Sequence, residues 1–165
     1  MLLPLLLCVV TWVTAQVTVT TSRGAVTGFH VDLGTDRSQL FYGSADVFLG
    51  IPFAKPPVGE LRWKLPQRIC DYGPQPINAT YFRSQCSQGD VKHPFRFPKN
   101  QPSDDCLYLN VFTPSTTGNL PVMVWIHGGS LLEGGADDFD YKGCIRNFAS
   151  RGVVLVTIQY RVSMT

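Results

Sequence analysis

The sequence predicts an α/β fold with a mostly parallel central sheet. Residues 121–127 (PVMVWIH) and 153–160 (VVLVTIQY) are apolar without alternation, as strands covered on both faces of a parallel sheet are. Between them, residues 141–150 (YKGCIRNFAS) carry apolar side chains at helical spacing, and Gly152 is placed to end that helix. Residues 121–160 are therefore predicted to form one right-handed β-α-β unit.

The preceding segment is expected to contribute short strands and long loops. Residues 17–21 (VTVTT) alternate and are β-branched, and residues 24–31 (GAVTGFHV) fit as the second strand of a hairpin. Residues 45–51 (ADVFLGI) predict a third strand. The chain from residue 52 to residue 119 is rich in Pro, Gly and polar residues, and a single strand is predicted in it at 107–113 (LYLNVFT).

The composition is that of a globular protein with at most one ordinary domain. Of 165 residues, 44% are hydrophobic and 16% are charged, which excludes a disordered chain. The 14 Lys and Arg residues against 12 Asp and Glu residues give a net charge of +2. Such a balance excludes a strong general nucleic-acid binder, which carries a clustered basic surface.

The first residues are expected to be a signal peptide. Residues 2–13 are apolar and uncharged, and this run is shorter than the roughly 20 residues that a membrane-spanning helix needs. The small residues before position 16 predict cleavage after Ala15, so residues 1–15 would leave a secreted product, residues 16–165, with no membrane span. The alternatives are an N-terminal membrane anchor or a buried strand, because the segment has no Lys or Arg.

Cysteine usage is consistent with secretion. Without Cys8, four cysteines remain, an even number that allows three disulfide pairings: Cys70, Cys86, Cys106 and Cys144. No C-x-x-C pair occurs and the three His are scattered, so neither a metal site nor a cofactor is predicted. Asn78 begins an Asn-Ala-Thr triplet, which is an N-glycosylation acceptor if the chain is secreted.

The candidate chemistry lies directly after the first buried strand, where His127, Gly128, Gly129 and Ser130 follow one another. Loops at the carboxyl ends of parallel strands are where α/β folds bind ligands. Adjacent glycines let backbone N–H groups approach a ligand closely, which suits the oxyanion that develops in acyl transfer. Taken alone, the same four residues also fit an ordinary turn.

Four segments occur in a characteristic order: residues 48–63 (FLGIPFAKPPVGELRW), 103–114 (SDDCLYLNVFTP), 122–129 (VMVWIHGG) and 153–161 (VVLVTIQYR). Together they resemble the type-B carboxylesterases, the family that includes cholinesterases and neuroligins. The resemblance implies an α/β-hydrolase fold. Residues 16–165 would be the amino-terminal part of one truncated domain, with an N-terminal β-hairpin, a long disulfide loop and the start of the central sheet.

The resemblance also implies roles for single residues. It pairs Cys86 with Cys106 and leaves Cys70 and Cys144 undecided. It assigns the oxyanion-hole N–H groups to Gly129 and Ser130, with His127 and Gly128 shaping the loop.

Two departures from the family pattern qualify this assignment. Ser130 stands where the family has a third Gly, so it keeps the N–H but adds a Cβ that is costly if φ is positive. The disulfide loop has Phe95 and Phe97 but no Trp, which favours a general carboxylesterase over a choline-specific enzyme.

The family's mechanism needs a Ser in a G-x-S-x-G elbow, followed by an acidic residue and a His, and no G-x-S-x-G occurs in this chain. The resemblance therefore implies a full-length ester hydrolase that acts on small-molecule carboxylic esters, whereas this chain alone is expected to be inactive. The alternatives are a catalytically inactive, neuroligin-like adhesion module and a truncated product without function.

Other charged residues are expected to be structural. Glu60 and Arg62 predict an ion pair, and Arg161 is expected to support the fold. An acidic group near the β-α-β unit is expected to be a solvated loop, with its last member near a helix N-terminus: Glu133, Asp137, Asp138 and Asp140. The last apolar strand is expected to be uncovered and to cause aggregation.

Overall fold

The computed structural model describes residues 15–88 and 101–163, which form one mixed seven-stranded sheet with a short helix on one face. The strand order is β1-β2-β3-β5-β7-β6, and β4 pairs with β2 beside this path. The strands are β1 (Gln16–Thr21), β2 (Gly24–Asp32), β3 (Ser44–Pro52), β4 (Ile77–Asn78), β5 (Tyr108–Thr113), β6 (Val122–Ile126) and β7 (Val154–Ile158). The helix is α1 (Tyr141–Asn147), and single 3-10 turns lie at Gly59–Leu61 and Ala149–Arg151.

The first half of the sheet is antiparallel. The predicted hairpin is present, with Thr21 opposite Gly24 at its turn, where Gly24 adopts a φ of +131°. β3 pairs antiparallel with both β2 and β5, and its register to β5 shifts between Phe48 and Ile51. The two-residue β4 was not predicted, because two residues are too few to carry a periodic pattern.

The second half contains the predicted β-α-β unit. β6 and β7 run parallel in register from Val122 opposite Val154 to Ile126 opposite Ile158, and α1 lies between them in the chain. α1 is three residues shorter than predicted, because its last part tightens into a 3-10 turn. Gly152 ends this turn at a φ of +77°, as its position predicted.

The main core lies between the sheet and α1. Strand residues of β3, β5 and β7 pack there against Ile145 and Cys144 of α1. Val47, Phe112 and Ile145 are fully buried, and burial of each such side chain contributes about 1.5–3 kcal/mol. This packing fixes α1 against the sheet and thereby sets where the segment between β6 and α1 can run.

β6 differs from its prediction as a strand buried on both faces. It is the edge of the described sheet, and all five of its residues are exposed, from 41% at Trp125 to 63% at Ile126. β7, although later in the chain, pairs with β5 on one side and β6 on the other. The uncovered apolar strand is therefore β6 and not the last strand, and a strand edge without charge or Pro favours aggregation.

We expect two lysines on β6 to raise the soluble monomer fraction of the chain. Val122→Lys with Ile126→Lys places charge on the two most exposed residues of this strand, 62% and 63% exposed. The measurement is size-exclusion chromatography with light scattering. Val58→Lys, at a 46% exposed position away from the sheet edge, is the matched control. Equal monomer fractions for both variants would contradict a role of this edge in association.

Some sequence predictions lie outside the described residues. The predicted signal peptide falls almost entirely on residues 1–14, and Phe95 and Phe97 fall on residues 89–100. Among the helices that are described, none is long and apolar enough to cross a membrane.

Candidate functional site

The segment that follows β6, residues 127–134, is called the glycine loop below. It turns sharply, because the carbonyl oxygen of Gly129 accepts the N–H groups of Leu132 (2.9 Å) and Glu133 (3.1 Å). Three successive residues take left-handed φ angles: Gly129 (+128°), Ser130 (+56°) and Leu131 (+61°). The condition under which the Cβ of Ser130 is costly is therefore met, at about 1 kcal/mol.

The backbone donors of this turn are available to a ligand. In the described part of the chain, no hydrogen bond is donated by the N–H of Gly129 or of Ser130. Gly129 is half-buried and Ser130 is exposed, and no atom lies within 4 Å of a Cβ built on Gly128. Two neighbouring N–H groups that donate no described hydrogen bond fit the donor requirement of an oxyanion hole. Their assignment to this role stays a prediction.

His127 anchors the start of the glycine loop. Its side chain is buried (3% exposed), and its ring stacks on that of Tyr160 with centroids 4.1 Å apart. The Tyr160 hydroxyl donates a hydrogen bond to the His127 carbonyl oxygen, and His127 Nδ1 lies 3.0 Å from the Gly128 carbonyl oxygen. Its Nε2 is buried without a hydrogen-bond partner among the described residues. These contacts hold the first peptide of the loop and fit the shaping role expected of His127.

Two glycines are required by close backbone approach. A Cβ on Gly129 would lie 1.9 Å from the carbonyl oxygen of Glu133, so only glycine permits this turn. Gly134 has a φ of +126°, and a Cβ there would lie 2.2 Å from His127 Nδ1 and 2.5 Å from the Gly128 carbonyl oxygen. Gly134 was not singled out from the sequence, because the residues that it contacts lie six and seven positions earlier and no motif marks the contact.

The acidic residues after the loop are only partly as predicted. Asp137 is buried (4% exposed) and accepts a hydrogen bond from Gln85 Nε2 at 2.7 Å. Asp138 accepts the N–H of Gly135 at 3.2 Å. The expectation of a solvated loop is therefore wrong for Asp137, because Gln85, from a distant segment, packs against it, whereas Asp138 is half-buried. Asp140 lies at the N-terminus of α1, as expected.

The described residues contain no group of three His, Cys, Asp or Glu side chains that could hold a metal ion. The carboxylates near the glycine loop hydrogen-bond to the protein itself, as the preceding contacts of Asp137 and Asp138 show.

The disulfide lies beside this region and joins Cys86 to Cys106, as the resemblance implied. Both cysteines are buried. Cys70, which is exposed, and Cys144, which is buried, are outside the disulfide. Near the bridge, Arg62 forms its ion pair with Asp104 (3.1 Å) and not with Glu60 as predicted. Asp104 lies two residues before Cys106, and the fold places it next to Arg62.

Tyr108, the first residue of β5, follows the disulfide residue Cys106 by two positions. The Tyr108 hydroxyl donates a hydrogen bond to Asp105 Oδ1 at 2.8 Å. Burial raises the pKa of Tyr108 well above its usual range, and the hydrogen bond to Asp105 raises it further.

Two further predicted residues lie away from the glycine loop. Arg161 donates a hydrogen bond to the Lys64 carbonyl oxygen at 2.8 Å, which is a structural contact. Asn78 is exposed at the end of β4, and its Oδ1 accepts a hydrogen bond from the Thr80 hydroxyl at 2.7 Å. An exposed acceptor is compatible with glycosylation, which stays a prediction.

Comparison with known proteins places this geometry in a family. The sequence profile described as "Carboxylesterase family" matches residues 15–165. Carboxylesterase 1F of Mus musculus is 42% identical over 158 residues, and the match covers 88% of this chain and 27% of the relative. Liver carboxylesterase 1 of Oryctolagus cuniculus is 40% identical over 163 residues, with 88% and 26% covered.

Among solved structures, the juvenile hormone esterase from Manduca sexta, with OTFP covalently attached, superposes with a TM-score of 0.75 at 28% identity. That match covers 90% of this chain and 27% of the esterase. The chain thus spans about a quarter of the length of the relatives it matches. Its sheet, disulfide and sequence together show that it belongs to the carboxylesterase family.

Proposed function

We propose that this chain is the oxyanion-binding, amino-terminal part of a secreted hydrolase of carboxylic esters. The observation that carries the proposal is the pair of unpaired N–H groups, at Gly129 and Ser130, in a turn directly after β6. The turn stands at the carboxyl end of a strand in parallel pairing, where α/β proteins bind their ligands.

The proposed chemistry is acyl transfer through a serine that a longer protein supplies. The serine Oγ attacks the ester carbonyl carbon, and its proton passes to a His while the carbonyl oxygen becomes an oxyanion. The N–H groups of Gly129 and Ser130 would bind that oxyanion, and losing one such donor typically costs about 3–4 kcal/mol of transition-state stabilisation. Collapse expels the alcohol, which takes the proton from the His, and water then hydrolyses the acyl-enzyme to the carboxylic acid and the free serine. The mechanism uses no cofactor.

This chain alone is proposed to be inactive, because its 165 residues include no G-x-S-x-G elbow. The glycine loop binds charge that develops only after a nucleophile has attacked, so the loop without the nucleophile has no transition state to stabilise. The proposed substrate of the longer protein is a small-molecule carboxylic ester.

Secretion is part of the proposal and rests on three features. Residues 1–15 have the composition of a signal peptide. The Cys86–Cys106 disulfide persists best in an oxidising compartment. Asn78, in its acceptor triplet, is exposed.

Sequencing the full transcript across codon 165 tests the proposal. We expect a product whose reading frame continues into G-x-S-x-G, with an acidic residue and a His further on. A continuing frame that lacks the elbow serine would contradict the enzyme and favour a neuroligin-like adhesion module. A transcript with no longer form would exclude ester hydrolysis by this gene product.

A further inference from the structure

The side chain of Gln88 holds the far end of the glycine loop. Its Oε1 accepts the N–H of Gly134 at 2.9 Å, and its Nε2 lies 3.2 Å from the carbonyl oxygen of Gly134. One amide side chain thus pairs with both backbone groups of a buried residue, much as a neighbouring strand would. Without Gln88, these two backbone groups would lose their described partner in a buried setting, which is costly.

Gly134 carries this restraint to the other end of the loop. Its backbone packs so closely against the His127 ring and the Gly128 carbonyl that no Cβ fits between them. The turn that presents the N–H groups of Gly129 and Ser130 lies between these two contacts. A shift of Gly134 therefore has to move the turn, because close-packed atoms leave no slack to absorb it.

Gln88 is itself fixed by the disulfide. It lies two residues after Cys86, and its Nε2 also donates toward the Cys86 carbonyl oxygen at 3.1 Å. The segment that holds Gln88 runs beside Ser103, since Ser87 N–H donates to the Ser103 carbonyl oxygen (3.1 Å) and Ser103 N–H donates to the Gln85 carbonyl oxygen (2.9 Å). The bridge to Cys106 pins the two segments together.

A second brace runs parallel to the first. Gln85, which is buried (5% exposed), donates to Asp137 Oδ1 at 2.7 Å, just beyond the loop. Gln85 Oε1 also accepts a hydrogen bond from Gln88 Nε2 at 3.3 Å. The two glutamines flank Cys86 and reach the same distant segment, so the disulfide has two side-chain links to the region of the glycine loop.

We propose that Gln88 is a positioning residue, which transmits the restraint of the Cys86–Cys106 disulfide through Gly134 to the N–H groups of Gly129 and Ser130. Its importance for catalysis rests on the proposed function. The coupling itself does not, because it concerns only hydrogen bonds and packing within this chain.

The test is hydrogen–deuterium exchange of the full chain with the disulfide intact, at low micromolar concentration. Gln88→Met keeps the approximate size of the side chain. It removes the two hydrogen bonds to Gly134, together with those to the Cys86 carbonyl oxygen and to Gln85 Oε1. We expect the amides of Leu132 and Glu133, which donate to the Gly129 carbonyl oxygen within the turn, to exchange about 10-fold faster, with β3 and β5 unchanged. Gln88→Glu retains an acceptor for the Gly134 N–H, and its increase should be smaller. Gln75→Met, at an exposed position, is the matched control and should leave the loop unchanged.

Reduction of the disulfide supplies the readout that distinguishes positioning from simple packing. In the wild-type chain, reduction should speed exchange at Leu132 and Glu133. In Gln88→Met it should add less than about twofold there, because the link through Gly134 is already broken and the remaining link, from Gln85 to Asp137, ends beyond the loop. Fully additive effects would overturn the proposal. Loop amides in Gln88→Met that exchange at the wild-type rate, while β3 and β5 stay protected, would also overturn the proposal.

The remaining outcomes are also decisive. If Gln88→Met loses protection from exchange throughout the sheet, Gln88→Glu is compared with it. Loss of protection throughout the sheet in Gln88→Glu as well means that Gln88 supports the fold as a whole, which overturns the proposal. An intermediate effect confined to the loop supports it. Exchange does not depend on catalysis, so a failure here leaves the proposed ester hydrolysis standing, and an inactive longer protein leaves the coupling standing.

Discussion

Gly129→Ala is expected to lower kcat for ester hydrolysis at least about 100-fold. The Cβ would lie 1.9 Å from the Glu133 carbonyl oxygen at a residue whose φ is +128°, so the turn has to open. Opening it moves the N–H groups of Gly129 and Ser130 together, and both are proposed oxyanion donors. KM should change little, because these donors act on charge that develops in the transition state.

The assay requires a protein with a complete catalytic apparatus. A suitable one is a chimera in which residues 16–163 of this chain replace the matching segment of Liver carboxylesterase 1 of Oryctolagus cuniculus. The substrate is a p-nitrophenyl ester. Gly143→Ala is the control, because a Cβ on Gly143 in α1 meets no atom within 4 Å. A folded Gly129→Ala chimera with unchanged kcat would contradict the assignment of the turn as an oxyanion hole.

Replacing Cys86 and Cys106 together by serine is expected to reduce the free energy of unfolding by about 3 kcal/mol. The bridge joins residues 20 positions apart and so removes loop-closure entropy from the unfolded chain. Both sulfurs are also buried in a small apolar cluster with Ala54, Leu107 and Val162, where serine would bury polar hydroxyls among apolar neighbours.

Urea unfolding, monitored by fluorescence, measures this loss of stability. All variants carry the two β6 lysines, which limit aggregation. Cys70→Ser is the matched control, since Cys70 is exposed and outside the disulfide. Midpoints that coincide for the double serine variant and the control would show that the bridge adds no stability.

The predictions that succeeded rest on local patterns. The alternation of residues 17–21 and the apolar runs around α1 gave the hairpin and the β-α-β unit, because period and burial are linked within each element. The Cys86–Cys106 pairing came from the resemblance, since cysteine arithmetic left three pairings open.

What could not be predicted depends on contacts between distant segments. Nothing near Gly134 in the sequence indicates that Gln88, 46 residues away, pairs with its backbone. The sequence around Asp137 predicts a solvent-facing carboxylate, because it does not show that Gln85 hydrogen-bonds to it. The apolar run of β6 indicates a strand covered on both faces, but strand order is set by pairing between distant segments, and in the described sheet β6 is the edge strand with all five residues exposed.

Hydrolysis by the chimera tests the central claim most directly, which is that the glycine loop of this chain binds the oxyanion of an ester-hydrolysing serine. The unsubstituted chimera and this chain alone are assayed on the same p-nitrophenyl ester. We predict hydrolysis by the chimera that disappears when its elbow serine is replaced by alanine, and none above buffer from the chain alone. A folded, disulfide-bonded chimera without activity, or elbow-independent hydrolysis by the chain alone, would contradict the account.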